Sequence, residues 1–196
     1  MDTDMAMDMA TTHTQVLDLT KHIDFFNPIK EIDKPVHIIG CGAVGSTLIE
    51  MCTRMGFQKL IIYDFDTVSA HNLTNQMFFG QHVGMLKTKA ILQIAKNINP
   101  NIDIKCFDKG WTPGTRLSGY VFLCVDNIDL RRQIVEENKN NPYVNFIADF
   151  RMGLLNAQHY AADTSDHKSV EKLLGTMQFT HEEAKDATPK SACNVE

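Results

Sequence analysis

The sequence lacks any run of 18 or more apolar residues, which is about the length that a membrane-spanning helix needs. It also lacks clusters of lysine and arginine, and its formal net charge is −5 at pH 7. A basic patch is the usual electrostatic signature of a protein that binds DNA or RNA. We therefore expect neither a membrane nor a nucleic-acid partner, and we predict a cytoplasmic protein.

Paired cysteines are also missing from this sequence. The cysteines are odd in number and widely separated, none of them forms a CxxC pair, and no two histidines have HxxxH or HExxH spacing. Disulfide-stapled domains and the common zinc sites both depend on such pairs. The sequence therefore predicts no disulfide framework and no structural zinc. The cysteines are Cys41, Cys52, Cys106, Cys124 and Cys193.

A glycine-rich turn between two apolar runs is the main feature that the sequence does contain. Residues 35–46 read PVHIIGCGAVGS, and residues 59–66 read KLIIYDFD. A strand that enters a GxGxxG turn, followed by a helix and a strand ending on an acid, is typical of a β-α-β nucleotide-binding unit. Gly40 allows the tight turn, Gly42 lets the backbone approach a phosphate, and Gly45 lets the helix pack against the strand. Asp64 is then placed to accept ribose hydroxyls.

The remaining apolar patterns alternate between helix and strand. With 43% hydrophobic residues, the chain is large enough for one substantial core. The alternation predicts an α/β fold with a Rossmann-like, doubly wound, mainly parallel sheet, helices on both faces and an antiparallel addition near the C-terminus. Strands are predicted over 36–39, 60–63, 102–107, 120–125, 144–148 and, at an edge, 154–162; helices are predicted over 14–26, 43–55, 85–97, 128–137, 170–174 and 180–184.

These patterns divide the chain into three predicted parts. Residues 1–13 have neither a basic start nor a continuous apolar core, so we predict a flexible tail and not a signal peptide. Residues 14–163 make up the predicted nucleotide-binding domain. Residues 164–196 are polar and make up a predicted C-terminal crossover segment that is either mobile or truncated.

Several polar side chains follow the glycine-rich turn where a nucleotide could meet them. The loop over 64–84 is too long for an ordinary connection, and its Asn72 and Gln76 carry amides that could orient phosphate or ribose oxygens. Lys87 begins a predicted helix and could supply a point charge to phosphates. Asp126 follows the most apolar strand, at the sheet edge where ligands bind, and its carboxylate suits Mg²⁺.

Each of these residues also has a purely structural explanation. Asn72 and Asn75 are of a residue type that is common in turns. Lys87 could be one exposed lysine on a solvated helix face. Asp126 could cap the helix that follows it, which is the more frequent role of a lone aspartate at a helix start.

Taken in order, the motifs resemble those of the adenylating superfamily that includes ubiquitin-activating enzymes and the bacterial ThiF, MoeB and HesA proteins. The resemblance covers residues 36–151 and is carried by GCGAVG at 40–45, DFDTV at 64–68, NL at 72–73, Gln76, GMLK at 84–87, INP at 98–100 and VDN at 125–127. It implies a homodimer that binds ATP and Mg²⁺, adenylates the C-terminal carboxylate of a ubiquitin-like or sulfur-carrier protein, and releases pyrophosphate.

The resemblance also implies roles for individual residues. It implies that Asp64 holds the ribose, that Lys87 stabilises charge on the phosphates and that Asp126 binds magnesium. The phosphates would lie against the glycine loop. The implied nucleotide-binding residues are Gly40, Gly42, Ala43, Val44, Gly45, Asp64, Asp66, Asn72, Gln76 and Lys87.

One position departs from the family pattern. Many relatives have an arginine directly before the loop glutamine, whereas this sequence has Asn75. An arginine there contributes a bidentate cation to the phosphates. We therefore expect either that Lys89, Arg131 or a partner subunit compensates for Asn75, or that turnover is weak or absent.

Two further candidates lie beyond the glycine loop. Cys193 occurs in a polar stretch that suits a reactive thiol, and in some relatives a cysteine after the sheet forms a thioester or persulfide with the carrier. The alternative for Cys193 is an incidental cysteine near the chain end. Arg151 and Met152 directly follow a predicted strand and are candidates for the carboxylate-binding side of the site.

Three other functions stay open. A related enzyme could activate a carboxyl group on a modified tRNA base, although the sequence lacks the basic patches that such binding needs. The glycine loop and Asp64 would also suit an NAD-dependent oxidoreductase, which leaves the polar residues of the later motifs unexplained. The third alternative is a non-catalytic, nucleotide-binding scaffold, and Asn75 favours it.

Overall fold

The computed structural model describes residues 17–21, 24, 26–27, 30, 33–153 and 156–183. Residues 17–21, 24 and 26 of the helix predicted over 14–26 are described, and none of them is helical, so this prediction is wrong for them. Cys193 lies outside the described residues. The helix predicted over 180–184 extends past their end. In the described part of the chain, no helix is both long enough and apolar enough to cross a membrane.

The described residues form six β-strands, four α-helices and two short 3-10 helices. Along the chain they are β1 (Val36–Ile39), α1 (Ala43–Arg54), β2 (Lys59–Tyr63), α2 (Lys87–Ile98), β3 (Asp103–Phe107), β4 (Gly119–Leu123), α3 (Ile128–Asn138), β5 (Val144–Met152), β6 (Ala157–Asp163) and α4 (His167–Gly175). The 3-10 helices, Ala70–Thr74 and Gly80–His82, lie in the long loop between β2 and α2.

The strands form one sheet in the order β3-β2-β1-β4-β5-β6. The first five strands of the chain run parallel, and β6 pairs antiparallel with β5. The predicted fold class is therefore confirmed, including the antiparallel addition. Because β1 lies beside β4, the chain reverses its direction of winding between these two strands. Ligands of open α/β sheets bind in the crevice at such a switch point.

Both faces of the sheet are covered, and each face has its own apolar cluster. One cluster joins the sheet to α1 and α2 through residues such as Ile38, Ile49 and Ile91. The other joins the sheet to α3 and α4 through residues such as Ile134 and Leu173. All of β1 is buried, as expected for the central strand of a parallel sheet that helices cover on both faces.

Two predicted carboxyl ends of strands are wrong by two residues or more, those of β4 and β5. β4 ends at Leu123 and not at Val125, because the Val125 carbonyl accepts a hydrogen bond from the Arg131 side chain instead of one from a neighbouring strand. β5 continues past 148 to Met152, because it pairs with β6 along this extra length. Arg151 and Met152 therefore lie within a strand and do not follow one.

Candidate functional site

The glycine-rich turn joins β1 to α1 at the switch point of the sheet. Gly40 has a φ of +98°, and a Cβ there would lie 2.8 Å from the carbonyl carbon of Cys124. A Cβ at Gly45 would overlap the carbonyl oxygen of Gly40. A Cβ at Gly42 would meet no atom within 4 Å. Gly40 and Gly45 are therefore required by the turn itself, whereas Gly42 borders open space.

The start of α1 offers backbone donors next to that open space. The N-cap residue is Gly42, which has no side chain to cap the helix, and α1 has no acidic residue in its first turn. The first intrahelical hydrogen bond runs from Ser46 N to the Gly42 carbonyl at 2.9 Å. The N–H groups of Ala43, Val44 and Gly45 therefore have no intrahelical acceptor, and such groups bind anions.

Asp64 connects the end of β2 to the glycine-rich turn. Its Oδ2 accepts a hydrogen bond from Cys41 N at 2.6 Å, and its Oδ1 accepts one from Asp66 N at 2.8 Å. Burial raises the pKa of the Asp64 carboxyl group, and these two backbone donors and the Lys87 ammonium group oppose that rise. Each carboxylate oxygen keeps a second lone pair for a hydroxyl donor.

Lys87 lies beside this carboxylate and contacts Asp66. The Lys87 Nζ is 2.8 Å from Asp66 Oδ2, and Lys87 N donates to the Asp66 carbonyl oxygen at 2.9 Å. Lys87 is only 7% exposed, so the explanation of it as an exposed lysine on a solvated helix face is wrong. The structure thus brings three of the predicted residues together: Asp64, Asp66 and Lys87.

Asn72 and Gln76 behave differently, although both lie in the long loop. Asn72 is buried, and its Oδ1 accepts hydrogen bonds from Ser69 N at 2.9 Å and from Ser69 Oγ at 3.1 Å, so this oxygen caps the first 3-10 helix. Gln76 Oε1 is buried and has no hydrogen-bond partner among the described residues. The next residue, Met77, donates its N–H to Ser46 Oγ at 3.2 Å, which fixes this end of the loop against α1.

Asp126 and Asn127 follow β4, and only Asn127 caps the next helix. Asn127 is the N-cap of α3, because its Oδ1 accepts a hydrogen bond from Leu130 N at 3.0 Å. The explanation of Asp126 as the N-cap is therefore wrong. Asp126 is exposed, and it lies at the carboxyl end of the strand that borders the switch point.

Both of the cations named as replacements for the missing arginine already have an acidic partner. Arg131 is buried; it bonds to Asp149 and donates to the carbonyl oxygens of Leu123 and Val125. Lys89 forms an ion pair with Asp108, with 3.1 Å between Nζ and Oδ2. Arg131 therefore does not compensate for Asn75, which is exposed at the end of the 3-10 helix Ala70–Thr74. That Lys89 or a partner subunit compensates for it stays a prediction.

Asp149 is the residue that sequence analysis missed. It is fully buried in β5, between Arg131 on one carboxylate oxygen and Arg151 on the other, where Arg151 Nε lies 2.7 Å from Oδ2. Arg151 also donates to the Thr176 carbonyl and hydroxyl oxygens at 2.9 and 2.8 Å. Its guanidinium group therefore faces inward and does not line an open carboxylate site. The signal in the sequence is the one acid of β5, a strand that is mostly apolar.

The donor set fits a magnesium ion that is bound together with a nucleotide. Within the described ranges, no group of three His, Cys, Asp or Glu side chains could hold a metal by itself. Magnesium sites that include phosphates need only one or two protein carboxylates, and Asp126 could be one of them.

Together, the fold and this site define a doubly wound α/β domain with a glycine-rich turn and a helix N-terminus at its switch point. The chain belongs to the ThiF family, whose sequence profile matches residues 29–142.

Known proteins similar to this chain agree with that assignment. The ubiquitin-like modifier-activating enzyme 5 of Arabidopsis thaliana is 40% identical over 85 residues, which cover 43% of this chain and 19% of that enzyme. The chain thus spans about a fifth of the length of this relative.

Two solved structures share the fold. The Escherichia coli tRNA N6-threonylcarbamoyladenosine dehydratase TcdA in complex with ATP has a TM-score of 0.63 and 19% identity, covering 72% of this chain and 65% of that one. E. coli MccB with AMPCPP and MccA has a TM-score of 0.58 and 18% identity, covering 65% of this chain and 38% of that one. At such identities the likeness concerns the fold alone.

Proposed function

We propose that this chain binds ATP with Mg²⁺ and adenylates a carboxylate, the C-terminus of a ubiquitin-like or sulfur-carrier protein, releasing pyrophosphate. The observation that carries the proposal is the cluster of Asp64, Asp66 and Lys87 beside the glycine-rich turn. Membership of the ThiF family supports it, as do the activating enzyme among the relatives and the ATP and AMPCPP held by the two solved structures.

The open space beside Gly42 and the unpaired backbone donors of α1 suit a nucleotide. Open space at Gly42 and the donors at the start of α1 would receive phosphate oxygens. The Asp64 carboxylate, held by two backbone donors, would accept ribose hydroxyls. Gln76 Oε1 is buried without a hydrogen-bond partner, so a rotation of this side chain toward the nucleotide would give the oxygen a hydroxyl donor.

Adenylation needs alignment and charge neutralisation more than it needs a protein nucleophile. One oxygen of the substrate carboxylate bonds to the α-phosphorus while the bond from that phosphorus to the bridging oxygen breaks, and pyrophosphate leaves with the electron pair. The carboxylate is already ionised near neutral pH, so this step needs no general base. Lys87 would leave Asp66 and stabilise charge on the phosphate oxygens.

Asp126 is the residue that would hold magnesium. Its carboxylate is exposed at the carboxyl end of β4, next to the strand that leads into the glycine-rich turn. A bound magnesium ion supplies neutralisation of phosphate charge and fixes the phosphate geometry.

We also propose that the chain forms a homodimer, and an apolar cleft supports this. The cleft, about 380 Å³ in volume, lies between α1 and the end of β5. Met51 and Met152, which line it, are 50% and 46% exposed. Exposed apolar surface of this kind is typical of interaction sites, and a second copy of the chain is the occupant that the family resemblance implies.

Two measurements test the proposed function. A thermal shift with ATP and Mg²⁺, AMP or NAD identifies the nucleotide, because a ligand that binds only the folded protein raises its melting temperature. ATP–pyrophosphate exchange, run with the carboxylate protein purified alongside this chain, then tests adenylation. We expect stabilisation by ATP and not by NAD, followed by exchange. Stabilisation by NAD alone would contradict the proposal.

Asn75 favours one alternative, a nucleotide-binding scaffold without turnover. An asparagine cannot provide the bidentate positive charge that an arginine would place on the phosphates. The scaffold predicts stabilisation by ATP and Mg²⁺ without any exchange, so the two measurements together separate it from the enzyme.

A further inference from the structure

We infer that Arg131 is a positioning residue, which fixes the backbone that presents the Asp126 carboxylate, and that Asp149 holds Arg131 in place. This inference rests on the proposed role of Asp126 as the magnesium ligand. It concerns the buried ion cluster of Arg131, Asp149 and Arg151, which the proposed adenylation step does not itself use.

The Arg131 guanidinium group ties together the end of β4. It donates to the carbonyl oxygen of Leu123 at 3.1 Å and to the carbonyl oxygen of Val125. The Val125 carbonyl belongs to the peptide group whose nitrogen is that of Asp126. Because a peptide group is planar, fixing the Val125 carbonyl also fixes the direction of the bond that leads to Asp126.

The backbone is also fixed on the other side of Asp126. Asn127 caps α3 through the hydrogen bond that its Oδ1 accepts from Leu130 N, and Arg131 N donates to the Asn127 carbonyl at 3.1 Å. The main chain at Asp126 is therefore held between two sets of hydrogen bonds while its side chain is exposed.

Asp149 explains why Arg131 points inward toward these carbonyls. Asp149 is 0% exposed and lies opposite Leu123 in the register of β4 and β5. A buried carboxylate needs a partner of opposite charge, and Arg131 occupies one of its oxygens. Arg151 occupies the other oxygen. The Asp149 carboxylate therefore holds the Arg131 guanidinium group at the end of β4.

Such a clamp matters most for a magnesium ligand. Mg²⁺ requires near-ideal octahedral geometry at short ligand distances, so a small displacement of its carboxylate weakens binding. Residues that orient the ligands of a metal change its affinity by about 10- to 100-fold when they are replaced. We therefore expect Arg131 to affect metal-linked binding of ATP much more than binding of metal-free ATP.

The test is the substitution Arg131→Lys, compared with Arg132→Lys as a matched control. Arg132 is the next residue on α3 and also donates to backbone carbonyl oxygens, those of Met177 at 2.7 Å and Phe179 at 2.5 Å, away from β4. Calorimetry gives the Kd of ATP with excess Mg²⁺ and with EDTA, and the ratio of the two values is the gain in affinity due to the metal.

We expect Arg131→Lys to lower this gain by about tenfold or more, with the Kd in EDTA within about twofold of wild type. Arg132→Lys should leave both values unchanged. A merely structural role for Arg131 would weaken binding equally with and without the metal, and that result would overturn the inference. Arg131→Gln, which leaves Asp149 paired with Arg151, is measured in parallel in case the lysine variant does not fold.

Asp126→Ala separates failure of this inference from failure of the proposed function. If Asp126→Ala loses the metal-linked gain and both Arg131 variants keep it, the positioning role is overturned while the metal role of Asp126 stands. If Asp126→Ala keeps the gain, or if wild type does not bind ATP, the proposed function fails and the inference falls with it.

Discussion

The ammonium group of Lys87 lies 2.8 Å from Asp66 Oδ2, and the two residues are also joined by a backbone hydrogen bond of 2.9 Å. This contact closes the long loop at its base, since Asp66 follows β2 and Lys87 begins α2. Lys87 is largely withdrawn from water, where a charge interacts more strongly with a neighbouring opposite charge than it does at the surface. A phosphate that reaches this site would meet a lysine that is already in place and is paired with a carboxylate.

The first prediction concerns Lys87. We expect Lys87→Ala to slow ATP–pyrophosphate exchange by about 100- to 1,000-fold, because it removes a positioned positive charge from the phosphates. The matched control is Lys96→Ala, in the last turn of α2, where its Nζ donates to the Pro100 carbonyl oxygen at 3.0 Å. Exchange is measured with the carrier that supports wild-type activity. Near-wild-type exchange by Lys87→Ala would remove Lys87 from the proposed mechanism.

The second prediction contrasts two glycines of the same turn. Gly45→Ala should destabilise the fold by about 3 kcal/mol or more, because its Cβ would overlap the Gly40 carbonyl oxygen and neither backbone can yield. Gly42→Ala should cost less than about 1 kcal/mol, since the added Cβ enters open space. Because that space is where we propose the phosphates bind, Gly42→Ala should still raise the Kd of ATP at least about tenfold.

Urea unfolding and calorimetry check these two expectations separately. A Gly42→Ala protein that folds normally and binds ATP as tightly as wild type would show that the phosphates do not approach this glycine. A fully stable Gly45→Ala protein would contradict the packing argument for the turn.

The third prediction is a pH dependence of stability that arises from His37. This histidine is 2% exposed in β1, with its Nδ1 3.0 Å from Tyr63 Oη, and burial lowers its pKa to about 4. The unfolded chain binds the proton near pH 6.5, so the unfolded state holds more protons between these values. The contribution of His37 is therefore complete above about pH 6.5 and is lost as the pH falls toward 4. The loss amounts to about 3 kcal/mol.

Urea unfolding between pH 7.5 and pH 4 measures this loss. His37→Gln should flatten the decline in unfolding free energy over that window, whereas His71→Gln, at an exposed position, should not. If His37→Gln retains the wild-type slope, other groups are responsible for the acid sensitivity.

The fourth prediction concerns the proposed dimer. Met51→Lys together with Met152→Lys should make the protein monomeric at micromolar concentrations, because two charges would be buried in an apolar contact. Tyr143→Lys, at a side chain that is 74% exposed and lies at the amino end of β5, is the control and should leave the dimer intact. Light scattering after size exclusion gives the mass of each variant. A wild-type mass equal to that of one chain would contradict the proposal.

Local patterns were sufficient to predict the glycine-rich turn and the strands around it. The constraint at Gly45 is a contact with Gly40, five residues earlier, so the GxGxxG spacing contains it. The same holds for β1 and β2, whose apolar runs end at the switch point. The constraint at Gly40 is a contact with Cys124 after β4, which the spacing does not contain. Strand ends were harder to predict, because β4 stops where an arginine from α3 competes for its carbonyl, and β5 extends where a later strand pairs with it.

The roles of polar side chains were only partly predictable. Lys87 and Asp126 each had two reasonable explanations, and the choice depended on burial and on which neighbour took the capping position. Asp149 gave a weak signal because a single acid in an apolar strand does not reveal its partners. Arg131 belongs to α3, and Arg151 follows Asp149 by two residues in β5. Only folding brings the two arginines to the same carboxylate.

The order of residues by itself determined the alternation of strands and helices, the glycine-rich turn and the family to which the chain belongs. These depend on periodicity and on close spacing, which short stretches of sequence record directly. The tertiary structure alone decided that Lys87 is buried against Asp66 and that Arg131 turns inward to Asp149. Those outcomes depend on which charged side chains are desolvated on folding and on which neighbouring group of opposite charge pairs with them.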